Sequence, residues 1–181
     1  MRLFIAVLFD EAIKTSIYHT IEKLQGVASG SFTHKDNLHL TVNFIGETNR
    51  VEEVKEAMQQ AVDKLGAKSF QIRIGGFGRF RRKEGDIYWI GVEREETLWR
   101  LQKELVRELK SAGFFDMDDR EYKPHLTLAR RVKVKDSFIA KDFVTEITAM
   151  QMKVKKISLM KSERVQGKLV YTEVYQVKLD N

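Results

Sequence analysis

The sequence predicts an α+β fold on three observations: strand-length stretches in which apolar and polar residues alternate, longer stretches with an apolar residue every three or four positions, and a six-residue pattern that occurs twice. Residues 1–9 contain the continuous apolar run Leu3-Phe4-Ile5-Ala6-Val7-Leu8, the length of a buried strand, and Asp10 stands where it can cap a helix. Ile13, Ile17, Ile21 and Leu24 then recur at helical spacing and stop at Gly26. Residues 38–45 alternate strictly, so a second strand is expected with Leu38, Leu40, Val42 and Phe44 facing the core. Val51, Val54, Met58, Val62 and Leu65 form an amphipathic helix ended by Gly66. Phe70, Ile72 and Ile74 alternate with Gln71 and Arg73, Gly75-Gly76-Phe77-Gly78 marks a bulge or bend, a basic loop follows, and residues 87–92 make the next strand. Leu98, Leu101, Leu105 and Leu109 give a third helix closed by Gly113. Pro124 suits the start of a strand, residues 136–148 hold a short helix, and two last strands, 152–160 and 169–179, are joined through Gln166-Gly167. Strands with one apolar face, separated by amphipathic helices, imply antiparallel sheets with helices on their outer sides.

At 181 residues, 43% of them apolar and 32% charged, the chain is expected to form one domain spanning residues 1–181. It has no cysteine, which excludes disulfides, thiolate metal ligands and a cysteine nucleophile and favours a reducing, cytoplasmic setting. The apolar run at residues 1–9 is too short for a membrane span, and the acidic Asp10 and Glu11 that follow do not suit a signal peptide, so no membrane association is expected. Lys and Arg outnumber Asp and Glu by 32 to 26, a net charge of +6 that favours acidic partners such as nucleic acid.

The repeated pattern is Asn37-Leu38-His39-Leu40-Thr41-Val42 and Lys123-Pro124-His125-Leu126-Thr127-Leu128. It implies two similar, pseudo-symmetric lobes with a cleft between them, and such interfaces are favoured ligand sites. Side chains at i and i+2 of a strand share a face, so His39 stands beside Thr41, and His125 beside Thr127, each pair opposite an apolar core face. A lone histidine in a strand is ordinarily a satisfied core or surface residue; two in the same four-residue context point to chemistry. Two imidazoles flanking one phosphorus can divide an in-line displacement, one taking a proton from water and the other giving one to the leaving oxygen, without a metal. The threonine hydroxyls can donate to the non-bridging oxygens. His34 lies near His39 but lacks further ligands at metal spacing, and His19 sits on a helix, so both are expected at the surface and no metal site is read.

The two motifs, extended as Asn37-Leu38-His39-Leu40-Thr41-Val42-Asn43-Phe44-Ile45-Gly46-Glu47 and Lys123-Pro124-His125-Leu126-Thr127-Leu128-Ala129-Arg130, resemble the two-histidine phosphoesterase superfamily. Within it they are most similar to bacterial and archaeal RNA 2',3'-cyclic phosphodiesterases, historically called 2'-5' RNA ligases. The resemblance extends to residues 1–9, 86–92 and 159–171, nearly the whole chain. It implies two lobes around a groove, hydrolysis of an RNA 2',3'-cyclic phosphate to a 2'-phosphate, weak reverse 2'-5' joining, no cofactor and no metal, with RNA ends, tRNA fragments among them, as partners of a monomer. It also implies phosphate binding by Arg130. Strict alternation instead puts Arg130 on the Leu126 face and favours Arg131, unless a bulge intervenes. Sequence does not fix which histidine is base and which is acid; the division taken as a working choice gives His125 the water and His39 the leaving oxygen.

Arg79-Phe80-Arg81-Arg82-Lys83 interleaves an aromatic with cations, which makes Arg79, Arg81 and Arg82 candidate RNA contacts; the alternative is a solvated connector tempered by Glu84 and Asp86. Three other functions remain open: a phosphohistidine enzyme, which ordinarily places a lysine near its histidine, an RNA-end binding module without turnover, and a phosphodiesterase of small cyclic nucleotides.

Overall fold

The structure, a computed structural model, describes every residue except Asp118, Asp119 and Glu146. Strand β1 (Arg2–Leu8) is followed by helix α1 (Glu11–Val27), capped by Asp10, whose carboxylate accepts from the Ile13 amide at 2.8 Å. Next come β2 (Ala28–Phe32), a 3-10 turn (Lys35–Asn37), β3 (His39–Glu47) and α2 (Val51–Leu65), which stops at Gly66 in the left-handed conformation. The remainder is β4 (Phe70–Phe80), β5 (Asp86–Val92), α3 (Glu96–Ser111), β6 (His125–Val134), α4 (Ala140–Thr145), β7 (Met150–Val154), β8 (Lys156–Val165) and β9 (Lys168–Lys178).

The strands build two antiparallel sheets, one ordered β3-β1-β8-β9 and the other β2-β6-β5-β4-β7. The α+β class expected from the sequence is therefore the one observed. Each histidine strand opens a sheet or lies one strand from its edge, β3 beside β1 and β6 between β2 and β5. Helices α2 and α3 pack on each other, α3 reaches β3, and α1 lies against β2 and β6. Ile17, Ile21, Leu24, Val54, Met58, Leu98, Leu101, Leu105 and Leu109 are fully buried on these helices against the apolar faces of both sheets. Each contributes about 1.5–3 kcal/mol by leaving water.

Three expectations are corrected and one strand is added. Residues 152–160 are not one strand: β7 pairs with β4 and β8 with β1, so the chain changes sheet at Lys155. Buried positions fall on Met150, Met152 and Val154, then on all of Ile157, Ser158, Leu159 and Met160, of which Ile157 and Leu159 join the main core, so the core-facing parity flips where the sheet changes. The strand at Phe70 does not end before the basic loop but runs on through a bulge at Gly76 (φ 77°), so Arg79 and Phe80 are strand residues and only 81–85 turn. Strand β2 has no signal in the sequence because Ala-Ser-Gly-Ser-Phe buries only Ala28; it is held by its ladder to β6, where Gly30 lies so close that a Cβ would come within 2.9 Å of the Arg130 carbonyl. Phe44, expected in the core, is 59% exposed. The short helix expected in 136–148 is α4, and residue 146 of that stretch lies outside the described residues. Among the described residues no helix is long and apolar enough to cross a membrane.

Candidate active site

The position of Phe44 follows from a bulge. Opposite β1, Ala6 pairs with Thr41 and Ile5 with Asn43, leaving Val42 as an extra residue. Opposite β5, Trp89 pairs with Thr127 and Tyr88 with Ala129, leaving Leu128 extra in the same way. Each bulge comes one residue after the motif threonine and reverses the strand's parity. Asn43 and Ala129 turn into the core, 5% and 0% exposed, while Phe44 and Arg130 turn to the histidine face. The Arg130 charge bears on His39, His125 and Tyr171, and its guanidinium makes no hydrogen bond or ion pair among the described residues. Arg131, the alternative by parity, has φ 54° and donates instead to Ser31 Oγ at 2.8 Å.

Both histidines are anchored alike. His39 Nδ1 lies 2.8 Å from the Asn37 carbonyl and His125 Nδ1 lies 2.7 Å from the Lys123 carbonyl, in each case the residue two positions earlier. A carbonyl only accepts, so Nδ1 carries the proton and Nε2 is left for chemistry. Thr41 Oγ1 donates to His39 Nε2 at 2.9 Å, whereas His125 Nε2 has no partner among the described residues. Burial pushes the proton affinity of His39 down to a pKa of about 4; the Asn37 carbonyl opposes this, and the Arg130 and His125 charges add to it. His125 is lowered by burial and by Arg130, against the pull of the Lys123 carbonyl.

Aromatic rings wall in both imidazoles. Phe4 and Tyr171 stand 4.8 and 5.2 Å from His39, and Phe80 and Trp89 stand 5.0 and 6.1 Å from His125. The Trp89 ring lies against Gly78, where an added Cβ would come within 2.3 Å of it, so a larger residue there would displace the ring. Of the basic segment, Arg82 stacks 5.8 Å over Phe80 and thus borders the His125 side, and Arg81 is exposed at the turn. Arg79 pairs in register with buried Tyr88, on the face away from His125, and is ion-paired to Asp86 at 3.1 Å. His19 and His34 lie at the surface, beside Glu22 and Asp36. Phe4, Tyr171 and Trp89 have no signal in the sequence as site residues, because single aromatics in apolar strands read as core.

Two sheets, each presenting a histidine and a threonine from a bulged strand to a shared arginine, are the architecture of a two-histidine phosphoesterase. The chain belongs to the 2'-5' RNA ligase superfamily, whose family model matches residues 13–166. Among similar proteins is the RNA 2',3'-cyclic phosphodiesterase of Thermotoga maritima, 35% identical over 134 residues, 72% of this chain and 70% of that protein. The protein of the same name from Archaeoglobus fulgidus is 33% identical over 141 residues, 77% of each. The crystal structure of apo E. coli LigT superposes with a TM-score of 0.77 over 99% of this chain and 98% of that one at 22% identity, a likeness of fold.

Proposed function

We propose that residues 1–181 form one catalytic unit that opens RNA 2',3'-cyclic phosphate ends to 2'-phosphomonoesters by histidine acid–base catalysis, without a metal, and joins 2'-5' ends weakly in reverse. The observation that carries the reading is the pair of identically anchored imidazoles, with Nε2 of His39 bonded only to the Thr41 hydroxyl and that of His125 unpartnered among the described residues, beside a guanidinium that neither sheet engages. Curated relatives at 33–35% identity bear the name of this activity.

In the proposed step one Nε2 takes a proton from water as its oxygen attacks phosphorus, the P–O3' bond breaks, and the other Nε2–H protonates O3'. The phosphate stays on O2', and proton exchange with solvent resets the pair. Arg130 and the Thr41 and Thr127 hydroxyls stabilise the charge on the non-bridging oxygens. Arg81 and Arg82 extend the cationic path toward the RNA body, and water, being concentrated, favours hydrolysis over joining. Burial holds His39 neutral down to about 4, which favours His39 as the base and leaves His125 as the acid, the reverse of the division chosen at the sequence level, where nothing fixes it.

The test is incubation with a short RNA ending in a 2',3'-cyclic phosphate, with EDTA present. Ring opening to the 2'-phosphate alone supports the reading; loss of activity in EDTA, or bound RNA with an intact ring, contradicts it. A substrate with sulfur in place of O3' needs no acid to expel it, so it restores activity to the variant lacking the acid histidine and not to the other.

A further inference from the structure

The segments that lead into the two histidine strands each reach the other strand. Tyr122, three residues before His125, donates its phenol proton to the Thr41 carbonyl at 3.0 Å. Thr33, six residues before His39, donates its hydroxyl to the Thr127 carbonyl at 2.8 Å and its amide to the Leu128 carbonyl at 2.9 Å. The carbonyls chosen are equivalent: each belongs to the motif threonine and opens the peptide that enters the bulge. We infer that Tyr122 and Thr33 form a reciprocal clasp that sets the separation of the two imidazoles and holds both bulges, so that they are positioning residues for the reaction proposed above, on which this inference rests.

The need for such a device follows from topology. Strands β3 and β6 belong to different sheets and share no ladder. β3 is the end strand of its sheet, so its outer edge has no strand partner among the described residues, and Tyr122 meets it there. β2 ends at Phe32, so the ladder on that side of β6 stops at Ala129, and Thr33 continues it past the bulge. Tyr122 packs edge-on against Trp99 at 5.4 Å, which fixes its ring, and burial raises its proton affinity so that it remains a donor at working pH. Neither hydroxyl reaches the histidine nitrogens; both act through the backbone that carries them. The same carbonyl bonds govern whether Thr41, Phe44, Thr127 and Arg130 stay on the histidine face. A displacement of about 1 Å in an in-line geometry costs on the order of 10²-fold in rate.

Tyr122→Phe and Thr33→Val each remove one hydroxyl at nearly constant shape. For cyclic-phosphate opening, each is expected to lower kcat by roughly 10-fold or more while KM changes by less than about 3-fold, and to displace the limbs of the pH profile. The double variant is expected to lose less than the product of the single losses, because both bonds hold one distance. Thr33→Ser, which keeps the hydroxyl, restores kcat. Folded variants with wild-type kcat, or losses that track the unfolded fraction in thermal melts, overturn the clasp. If Tyr122→Phe does not fold, the comparison of Thr33→Val with Thr33→Ser decides between the same two outcomes. A wild type that opens no ring defeats the functional reading itself, whereas an active wild type with unaffected variants defeats the clasp alone.

Discussion

Strands β3 and β6 carry histidine, threonine and bulge at the same offsets, yet the bulge turns out Phe44 on one and Arg130 on the other. The surroundings diverge in the same sense: His39 is the more deeply depressed imidazole and is bonded to its own threonine, while His125 Nε2 has no partner among the described residues and its ring sits against the basic β4–β5 turn. One backbone device thus serves two chemical environments, one apolar and one cationic. The difference teaches how a duplicated strand can give a base and an acid: the backbone fixes where the imidazoles stand, and burial and charge fix which holds the proton.

The largest test of this comparison removes either imidazole. His39→Ala and His125→Ala should each cost about 10²–10⁴-fold in kcat, and the double variant little more, since the two act as one unit. A variant with near wild-type turnover would mean that the strands are not equal partners.

Next in size is a stability effect that is largest on the β3 side. His39 has a folded-state pKa of about 4 against an ordinary 6.5, so the unfolded chain binds more protons between these values. The stabilisation from keeping His39 neutral is therefore complete above 6.5 and is lost as pH falls toward 4, by about 3 kcal/mol. Denaturant melts across this window should show that slope in the wild type and a flatter one in His39→Gln; equal slopes would refute the assignment.

Arg130→Gln should follow, lowering kcat/KM by roughly 10–100-fold, in line with the loss of a charge-assisted phosphate contact. Because the guanidinium lowers both histidines, its removal should also raise both and move the pH optimum upward. The smallest effect is expected at the matching position: Phe44→Ala should leave stability within about 0.5 kcal/mol of wild type, as for an exposed side chain, and raise KM for RNA only several-fold. A loss of about 3–5 kcal/mol would instead mark Phe44 as core.

The sequence made the histidine faces legible because the alternation through Thr41 and Thr127 is unbroken: Leu40, Val42, Leu126 and Leu128 are buried and the motif residues between them are not. Beyond the threonines it misled. Residues 39–44 alternate perfectly on paper, with polar Asn43 in phase with His39, yet the Val42 bulge sends Asn43 inward, where its Oδ1 finds no partner among the described residues, and sends Phe44 out. In β6 the warning was present, since alternation would have buried Arg130. The change of sheet at Lys155 was written in the shift of apolar positions from Met152 and Val154 to Ile157 and Leu159, but with only Lys155-Lys156 between them the two strands read as one. Strand β2 and the clasp residues depend on partners about a hundred residues away, which no local pattern encodes.

The central claim, that one histidine gives a proton while the other takes one, is tested most directly by the pH dependence of kcat/KM for cyclic-phosphate opening. The account predicts a bell on the acid side of neutrality, its acidic limb near 4 from His39 and its alkaline limb below 6.5 from His125. A profile with a single limb, or none, would contradict it.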